Sequence, residues 1–465
     1  MWVRCMPCAG GCEGACRSRC GQGGVEGSFV RWSRRGSLKM LRVMISSAEA
    51  GMKLAMPVFH PSSPGRVLLH AGFELDARTI SRLNELSVRS VWVAYPKLSF
   101  LLKYASPEVI RHRAAIAGQV QELFDALGRD ADAELEYSRY AAAVSSLIES
   151  LINNPESTIL IDEIGCDQSA LHHACSVCFL TTLMGLKLAS YLEHQRSRVS
   201  AASARDVTPL GVAAMLHDIG MVRLPEEVRE RFAETNDESD PAWREHVKIG
   251  FSMVHGKVPP AASAAVLHHH QRYDGSGFPL RRRADGGTDR FAGDQIHIYA
   301  RIIAAADLFD RLSRRVDAKG NPVPRVRVLS AMRRDPIVRW IDPMVFKSLL
   351  AVCPPYAPGT QVTLSDGREC VVVGWEPLDP CRPRVIEFDP QASDDEPTGE
   401  VIDLTCTAGL CVARAEGVDV GRDNFYPIQP ADFCLDTASR MLHNAAENHR
   451  LMAGAVSPPG ARRSA

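Results

Sequence analysis

Nine of the fifteen histidines fall between His172 and His270, inside a stretch, 164–352, whose apolar residues keep helical spacing. A helical domain with so many imidazoles must give each a partner, because a buried polar ring without one is costly. His217-Asp218 closes the apolar run Gly211-Val-Ala-Ala-Met-Leu216 and is followed by Ile219-Gly220. A helix ending at that glycine brings imidazole and carboxylate together. Alone, such a pair is ordinary helix-end hydrogen bonding. The neighbours change the reading. His246 lies in Trp243-Arg-Glu-His-Val-Lys-Ile-Gly250, and His268-His269-His270 ends another helical run. Asp307 closes Ala300-Arg-Ile-Ile-Ala-Ala-Ala-Asp307, on an otherwise apolar helix. A buried carboxylate needs a cation or a metal. Mixed imidazole and carboxylate ligation suits iron, manganese or zinc better than magnesium or calcium.

The 465 residues are too many for one core and predict roughly two to four units. The expected fold is mainly α: a helical bundle over 161–352, flanked by a small N-terminal α/β unit (45–105) and a small C-terminal β-rich domain (353–430). Helical spacing from Pro107 to about Asn153 predicts a connecting helical pair (106–160), the candidate surface for a homodimer. A helix and tail (431–465) close the chain, and 389–400 reads as a mobile loop. Residues 1–44 are expected to be disordered or a non-native start, with Met40 or Met44 as alternative first residues. Five cysteines, Cys5, Cys8, Cys12, Cys16 and Cys20, crowd that segment among Gly and Arg, and the other nine of fourteen are scattered. That distribution suits a reducing, cytoplasmic compartment rather than a disulfide framework. A formal charge of −1 provides no broad basic field for nucleic acid or anionic membrane. The longest apolar stretch, 174–186, is too short to span a bilayer.

In this order, His173, His217-Asp218, His246, His269-His270 and Asp307 resemble the HD superfamily of metal-dependent phosphohydrolases, and within it the HD-GYP branch. His217-Asp-Ile-Gly-Met221 is similar to the branch's HDIGK. His269-His-Gln-Arg-Tyr-Asp-Gly-Ser-Gly-Phe-Pro279 is similar to HHExxDGxGYP, and Ala300 to Asp310 resembles a third block. The resemblance implies two divalent ions, iron or manganese. His173, His217, Asp218 and Asp307 would hold one, and Asp218, His246, His269 and His270 the other, with Asp218 and a water shared. It implies hydrolysis of cyclic di-GMP to pGpG, and GMP on further hydrolysis, in bacterial second-messenger signalling. His217, Asp218 and Arg272 take catalytic roles in it. Arg272, Asp274, Gly275, Gly277 and the position of Met221 border the substrate.

The same resemblance makes the 274–279 loop a candidate docking point for a diguanylate cyclase domain, with Phe278 either exposed for that partner or buried locally. His172 and His268 fall outside the ligand set. Ser169 stands where members with a third metal have Glu, so two ions are expected. Three residues depart from the pattern: Met221 for Lys, Gln271 for Glu and Phe278 for Tyr. Met for Lys weighs most, because it removes a cation where a phosphate would bind. Arg272 and Arg223 are the candidates to replace that charge. The departures keep two alternatives open: a weakly active or inactive module that binds cyclic di-GMP or a partner, and an HD enzyme acting on another nucleotide.

Overall fold

The computed structural model describes residues 40–426 apart from 61–62, 87, 89, 95–105, 130–134, 156–169, 283–284, 286, 317–322 and 388–398. The N-terminal cysteines, Ser169, the expected C-terminal helix and nearly all of the 389–400 loop lie outside the described residues.

The first elements are β1 (Met40–Met44), β2 (Val58–His60), β3 (Ser63–Leu69), α1 (Ala77–Glu85) and β4 (Ser90–Ala94). Asp76 starts α1 by accepting from the Thr79 amide at 2.6 Å, a side-chain cap on an otherwise orphaned donor. Strand β1 pairs antiparallel with β4, Met40 opposite Ala94. This corrects the boundary expected at residue 44: Met-Leu-Arg-Val-Met is an apolar strand whose Val43 is buried beside Val91 and Val93.

Helices α2 (Pro107–Arg129) and α3 (Tyr137–Asn153) follow. Ile116, Val120, Leu123 and Leu127 on α2 recur at helical spacing, as do Tyr140, Val144, Leu147 and Leu151 on α3. Both rows enter one core with α4 (Ala170–Lys187). The pair expected as a connector is thus a wall of the helical bundle. Next come α5 (Ala189–Gln195), α6 (Ala201–Arg205), α7 (Thr208–Leu216), a 3-10 turn (Ile219–Arg223), α8 (Glu226–Thr235), α9 (Pro241–Arg244), α10 (His246–Val254) and α11 (Pro260–His268). A short β5–β6 hairpin (Arg281–Arg282, Thr288–Asp289) leads to α12 (Ile298–Ser313), α13 (Arg325–Met332), α14 (Ile337–Trp340) and α15 (Pro343–Val352). Among the described residues no single helix is long and apolar enough to cross a membrane.

Strands β7 (Gln361–Leu364), β8 (Glu369–Gly374), β9 (Arg384–Glu387), β10 (Val401–Asp403), β11 (Val412–Ala415) and β12 (Val418–Asp419) form one antiparallel sheet in the order β10-β9-β8-β7-β11-β12. Its central strands β8 and β9 bury residues on both faces. Cys370 and Val372 join the core of the bundle, whereas Val371 and Ile386 join Leu54, Leu75 and Trp92 of the N-terminal unit. The unbroken run Cys370-Val-Val-Val373 is what a sheet covered on both faces requires. The sheet expected as an appendage is therefore the middle of three layers.

Two features fix the bundle around its histidines. Arg301 of α12, nearly fully buried, donates to Asp342 Oδ2 at 2.6 Å and to Gln195 Oε1 at 2.5 Å, and Tyr191 donates to the same Asp342 oxygen at 2.9 Å. That network ties α12 to α5 and to the start of α15. Gly220 permits the second feature, since a Cβ there would lie 2.0 Å from the His246 carbonyl oxygen and 2.6 Å from the Gly250 nitrogen. The turn after Asp218 can touch α10 only through a bare backbone. Gly220→Ala is expected to destabilise by about 1–3 kcal/mol through overpacking and to lower metal uptake, measured by denaturant unfolding and elemental analysis of the same preparation.

Candidate metal centre

Five helices each contribute one or two polar side chains to a single buried cluster. His173 comes from α4, His217 and Asp218 from the end of α7, His246 from the start of α10, His269 and His270 from the end of α11, and Asp307 from α12. All seven residues named from the sequence converge. They fall into two groups, His173, His217 and Asp307 in one and Asp218, His246, His269 and His270 in the other, and within each group the candidate ligand atoms lie within 4.8 Å of one another.

Asp218 faces both groups. Its Oδ2 is 3.6 Å from His217 Nε2 and 3.8 Å from His173 Nε2, while Oδ1 is 3.4 Å from His246 Nε2 and 3.3 Å from His269 Nε2. His173 Nε2 is also 3.1 Å from Asp307 Oδ1. Between rings, His217 Nε2 lies 3.2 Å from His173 Nε2, and His246 Nε2 lies 3.4 Å from His269 Nε2.

The ring tautomers turn these distances into a chemical statement. His217, His246 and His269 each place Nδ1 on the carbonyl three residues earlier, Ala214 at 2.8 Å, Trp243 at 2.7 Å and Val266 at 2.7 Å. A carbonyl only accepts, so Nδ1 donates, and a neutral ring so anchored presents a lone pair at Nε2. Burial holds His217 and His246 down to about 4, so both are neutral near pH 7. Where two neutral rings face one another, their lone pairs repel unless a cation lies between them. Two nitrogens each about 2.0–2.1 Å from a shared ion lie roughly 3–3.4 Å apart, which is the spacing found. Asp218 Oδ1 and His270 Nε2 are buried with no hydrogen-bond partner among the described residues. The donor set fits divalent metal, and the hydrogen bonds that orient it are already made.

His173 is oriented differently. Its Nδ1 bonds Asp310 Oδ2 at 2.6 Å, a carboxylate–histidine pairing of the kind that fixes metal-binding rings. Burial disfavours a proton on His173, yet the hydrogen bonds and charges of Asp307 and Asp310 outweigh it and lift the ring to about 9. Burial works against ionised Asp310 as well, but Arg314 and His173 hold it near 2. For Asp307, Arg311 and His173 overcome burial and keep the carboxyl well below its usual range. Asp218 is likewise held low by the imidazoles around it, His217 first, against the effect of burial.

His270 is set by aromatic packing. Its ring stacks on Phe278 with centroids 4.7 Å apart and planes at 18°, and meets Trp243 edge-on at 5.0 Å. Phe278 is buried, with the Arg244 guanidinium 4.6 Å from its centroid on the way to solvent. Of the two readings open for Phe278, the structure gives the buried one: the ring supports His270. The other loop residues serve the loop's own shape. Asp274 Oδ1 accepts from the Ser276 amide at 2.9 Å, Gly275 has φ +78°, and a Cβ at Gly277 would lie 2.4 Å from the His270 oxygen. Gln271, buried, donates to the Pro279 carbonyl at 2.5 Å, which a glutamate carboxylate could not do.

Arg272 lies over Trp340, its guanidinium carbon 3.6 Å from the ring centroid, and pairs with Glu238. Met221 packs on the apolar cluster of Leu224, Trp243, Val247 and Phe278. Arg223 is half-buried in the same turn. His172 is buried and held near 3, mainly by burial, and His268 meets Phe291 edge-on at 5.0 Å; neither belongs to the two groups. Sequence reasoning missed Asp310 and Arg311. Their signal was spacing, three and four residues after Asp307 on one helix face. Glu238 and Trp340 carried no sequence signal.

Replacing His217 and Asp218 together by Ala should remove all bound metal, because Asp218 serves both groups. Asp310→Asn should weaken it about 10- to 100-fold. Elemental analysis and competition with a chelating dye measure both outcomes.

The family model described as an HD domain matches residues 187–345. Among curated proteins, a cyclic di-GMP phosphodiesterase of Pseudomonas aeruginosa is 26% identical over 365 residues, 72% of this chain and 81% of the relative. A cyclic di-GMP phosphodiesterase response regulator of Xanthomonas campestris is 32% identical over 113 residues, 24% of this chain and 28% of that protein. A 3′3′-cGAMP-specific phosphodiesterase of Vibrio cholerae is 30% identical over 103 residues, covering 22% and 18%.

Proposed function

Because residues 187–345 make this an HD-domain chain carrying HD-GYP motifs, we propose that it is a metal-dependent phosphodiesterase that hydrolyses cyclic di-GMP. The observation that carries the reading is Asp218, whose two oxygens address two separate groups of nitrogen and oxygen donors. In it, His173, His217, Asp218 and Asp307 would hold one divalent ion and Asp218, His246, His269 and His270 a second, each iron or manganese. Two such ions, when bound, activate water at neutral pH and stabilise the leaving oxygen of an in-line displacement. Water adds to phosphorus while the P–O3′ bond breaks; the 3′ oxygen leaves with a proton, giving pGpG, and a second hydrolysis gives GMP.

The protein's part is orientation. Backbone carbonyls and Asp310 fix the imidazoles, and Arg311 holds Asp307 Oδ2 at 2.6 Å, turning Oδ1 towards His173. Arg272 is the candidate cation for a phosphate oxygen, standing two residues after His270 and beside it in one cavity. Asp274, Gly275 and Gly277 border the substrate by shaping the loop. A diguanylate cyclase domain docking there would meet exposed Asp274 and Ser276 rather than the buried Phe278 ring. Four cysteines buried outside any disulfide among the described residues, Cys175, Cys178, Cys370 and Cys381, support a reducing, cytoplasmic setting.

A second reading, a module that binds cyclic di-GMP with little turnover, is favoured by Met221 and its apolar surroundings. The test is anaerobic purification, metal analysis, and chromatography of cyclic di-GMP and 3′3′-cGAMP incubated with Mn- or Fe-loaded protein. The expected result is about two ions per chain and metal-dependent conversion of cyclic di-GMP to pGpG. Intact cyclic di-GMP at full metal loading would refute the enzyme reading, and faster loss of 3′3′-cGAMP would refute the substrate. Met221→Lys is expected to raise turnover by roughly ten- to a hundredfold, the equivalent of a charge-assisted hydrogen bond of about 1.5–3 kcal/mol gained in the transition state. No gain at matched metal loading, with or without Arg223→Ala, would mean that this position does not limit catalysis.

A further inference from the structure

Glu238 lies in the 236–240 connector between α8 and α9, outside every motif above. Its carboxylate accepts from Arg272 Nη2 at 3.1 Å and pairs with Arg311 Nη1. These two arginines come from different elements and both border a cavity of about 30 Å³ walled also by His269, His270, Asp307 and Trp340. That volume has room for water and none for a phosphodiester. A guanidinium fork recognises carboxylate and phosphate by the same geometry. Glu238 therefore puts its own oxygens where two cations beside the metal centre converge.

Neither arginine depends on Glu238 for its place. Arg272 is stacked on Trp340, and Arg311 is held through Nη2 by Asp307. Arg311 Nε, buried, has no hydrogen-bond partner among the described residues, which leaves a further donor for an anion larger than a carboxylate. The connector's backbone is fixed as well: Arg244 Nε donates to the Glu238 carbonyl at 2.6 Å, and Asp240 caps α9 through the Ala242 amide at 2.9 Å. What is free to turn is the Glu238 side chain, 27% exposed.

We propose that Glu238 is an internal anion that occupies Arg272 and Arg311 until a phosphodiester displaces it, and so sets the affinity of the site for phosphate groups. The inference deepens the phosphodiesterase reading and rests on it for the identity of the substrate. Rotation of one side chain exposes two guanidiniums beside His270 and Asp307, supplying the positive charge that Met221 does not.

Glu238→Gln keeps the shape and removes the charge. In the full chain at matched metal loading, calorimetric titration with inorganic phosphate should give binding about fivefold tighter than the unaltered protein, the equivalent of roughly 1 kcal/mol. Adding Arg272→Gln should cancel the gain. The KM for cyclic di-GMP should fall in parallel, with kcat changed less. Phosphate binding that is unchanged or weaker in Glu238→Gln would overturn the proposal, as would a gain that survives loss of Arg272. Phosphate binding is read without turnover, so tighter phosphate with untouched cyclic di-GMP supports the internal anion and refutes only the choice of substrate.

Discussion

The carboxylate of Asp218 is the constraint on which the rest depends. Four imidazole nitrogens surround its two oxygens at 3.3–3.8 Å, and three of those rings are committed by backbone carbonyls to point lone pairs inward. In an apolar bundle this arrangement is costly without cations, because Asp218 Oδ1 and His270 Nε2 have no hydrogen-bond partner among the described residues and burial holds His217 and His246 neutral. The surrounding protein makes it unavoidable. Carbonyl anchors, the Asp310 bond and the Phe278 stack each remove a rotation by which a ring could escape. Energy from folding is thereby stored as preorganisation of a metal site, the same relation that couples metal binding to stability elsewhere.

Packing explains how four helix ends reach one carboxylate. Gly211 lets α7 lie against Val144 and Thr182, with a would-be Cβ only 2.6 and 2.9 Å from them, and Gly220 lets the next turn lie on α10. The two glycines bracket His217 and Asp218, so the backbone on both sides of the pair is fixed by contact with neighbouring helices. The Arg301–Asp342 network then holds α12, and with it Asp307, against α5 and α15. On the other side of the bundle the six-stranded sheet joins the N-terminal unit through Val371, Ile386 and Trp92. First and last described segments of the chain thus share a core, which makes the N-terminal unit part of the same layered body as the metal centre.

Much of this was legible in the sequence, and the reason is chemical. Histidine and aspartate on apolar helices are rare enough to single out His217, Asp218, His246, the His268–His270 run and Asp307, the resemblance to HD-GYP motifs added His173 and completed the seven, and the periodicity of α2, α3 and β8 located those elements. What escaped notice was long-range pairing. Residues 40–44 read as a non-native start because a lone apolar strand has no local signal for its partner, here β4. The sheet read as an appendage because a continuous apolar run does not say which two layers cover it. Glu238 and Trp340 were invisible because their roles come from contacts with Arg272 across the fold, at no fixed spacing from any motif. Phe278 was ambiguous for the same reason: a loop tip looks alike in sequence whether it faces solvent or a histidine.

The three departures from the HD-GYP pattern turn out to be local and mutually consistent. Met221 and Phe278 meet in one apolar cluster around Trp243, so the losses of an ammonium and a phenolic hydroxyl occur on the same patch and leave no polar atom of either residue to be satisfied there. Gln271 supplies an amide donor to the Pro279 carbonyl, closing the loop that carries Phe278 over His270. Structural order at the candidate metal centre is therefore preserved by all three, while Met221 alone removes a cation. In the proposed reading, a phosphodiester would find its cationic partners in Arg272 and Arg311, which stand already paired with a carboxylate. Recognition would then be an exchange of anions, in which the substrate gains two guanidiniums by releasing Glu238.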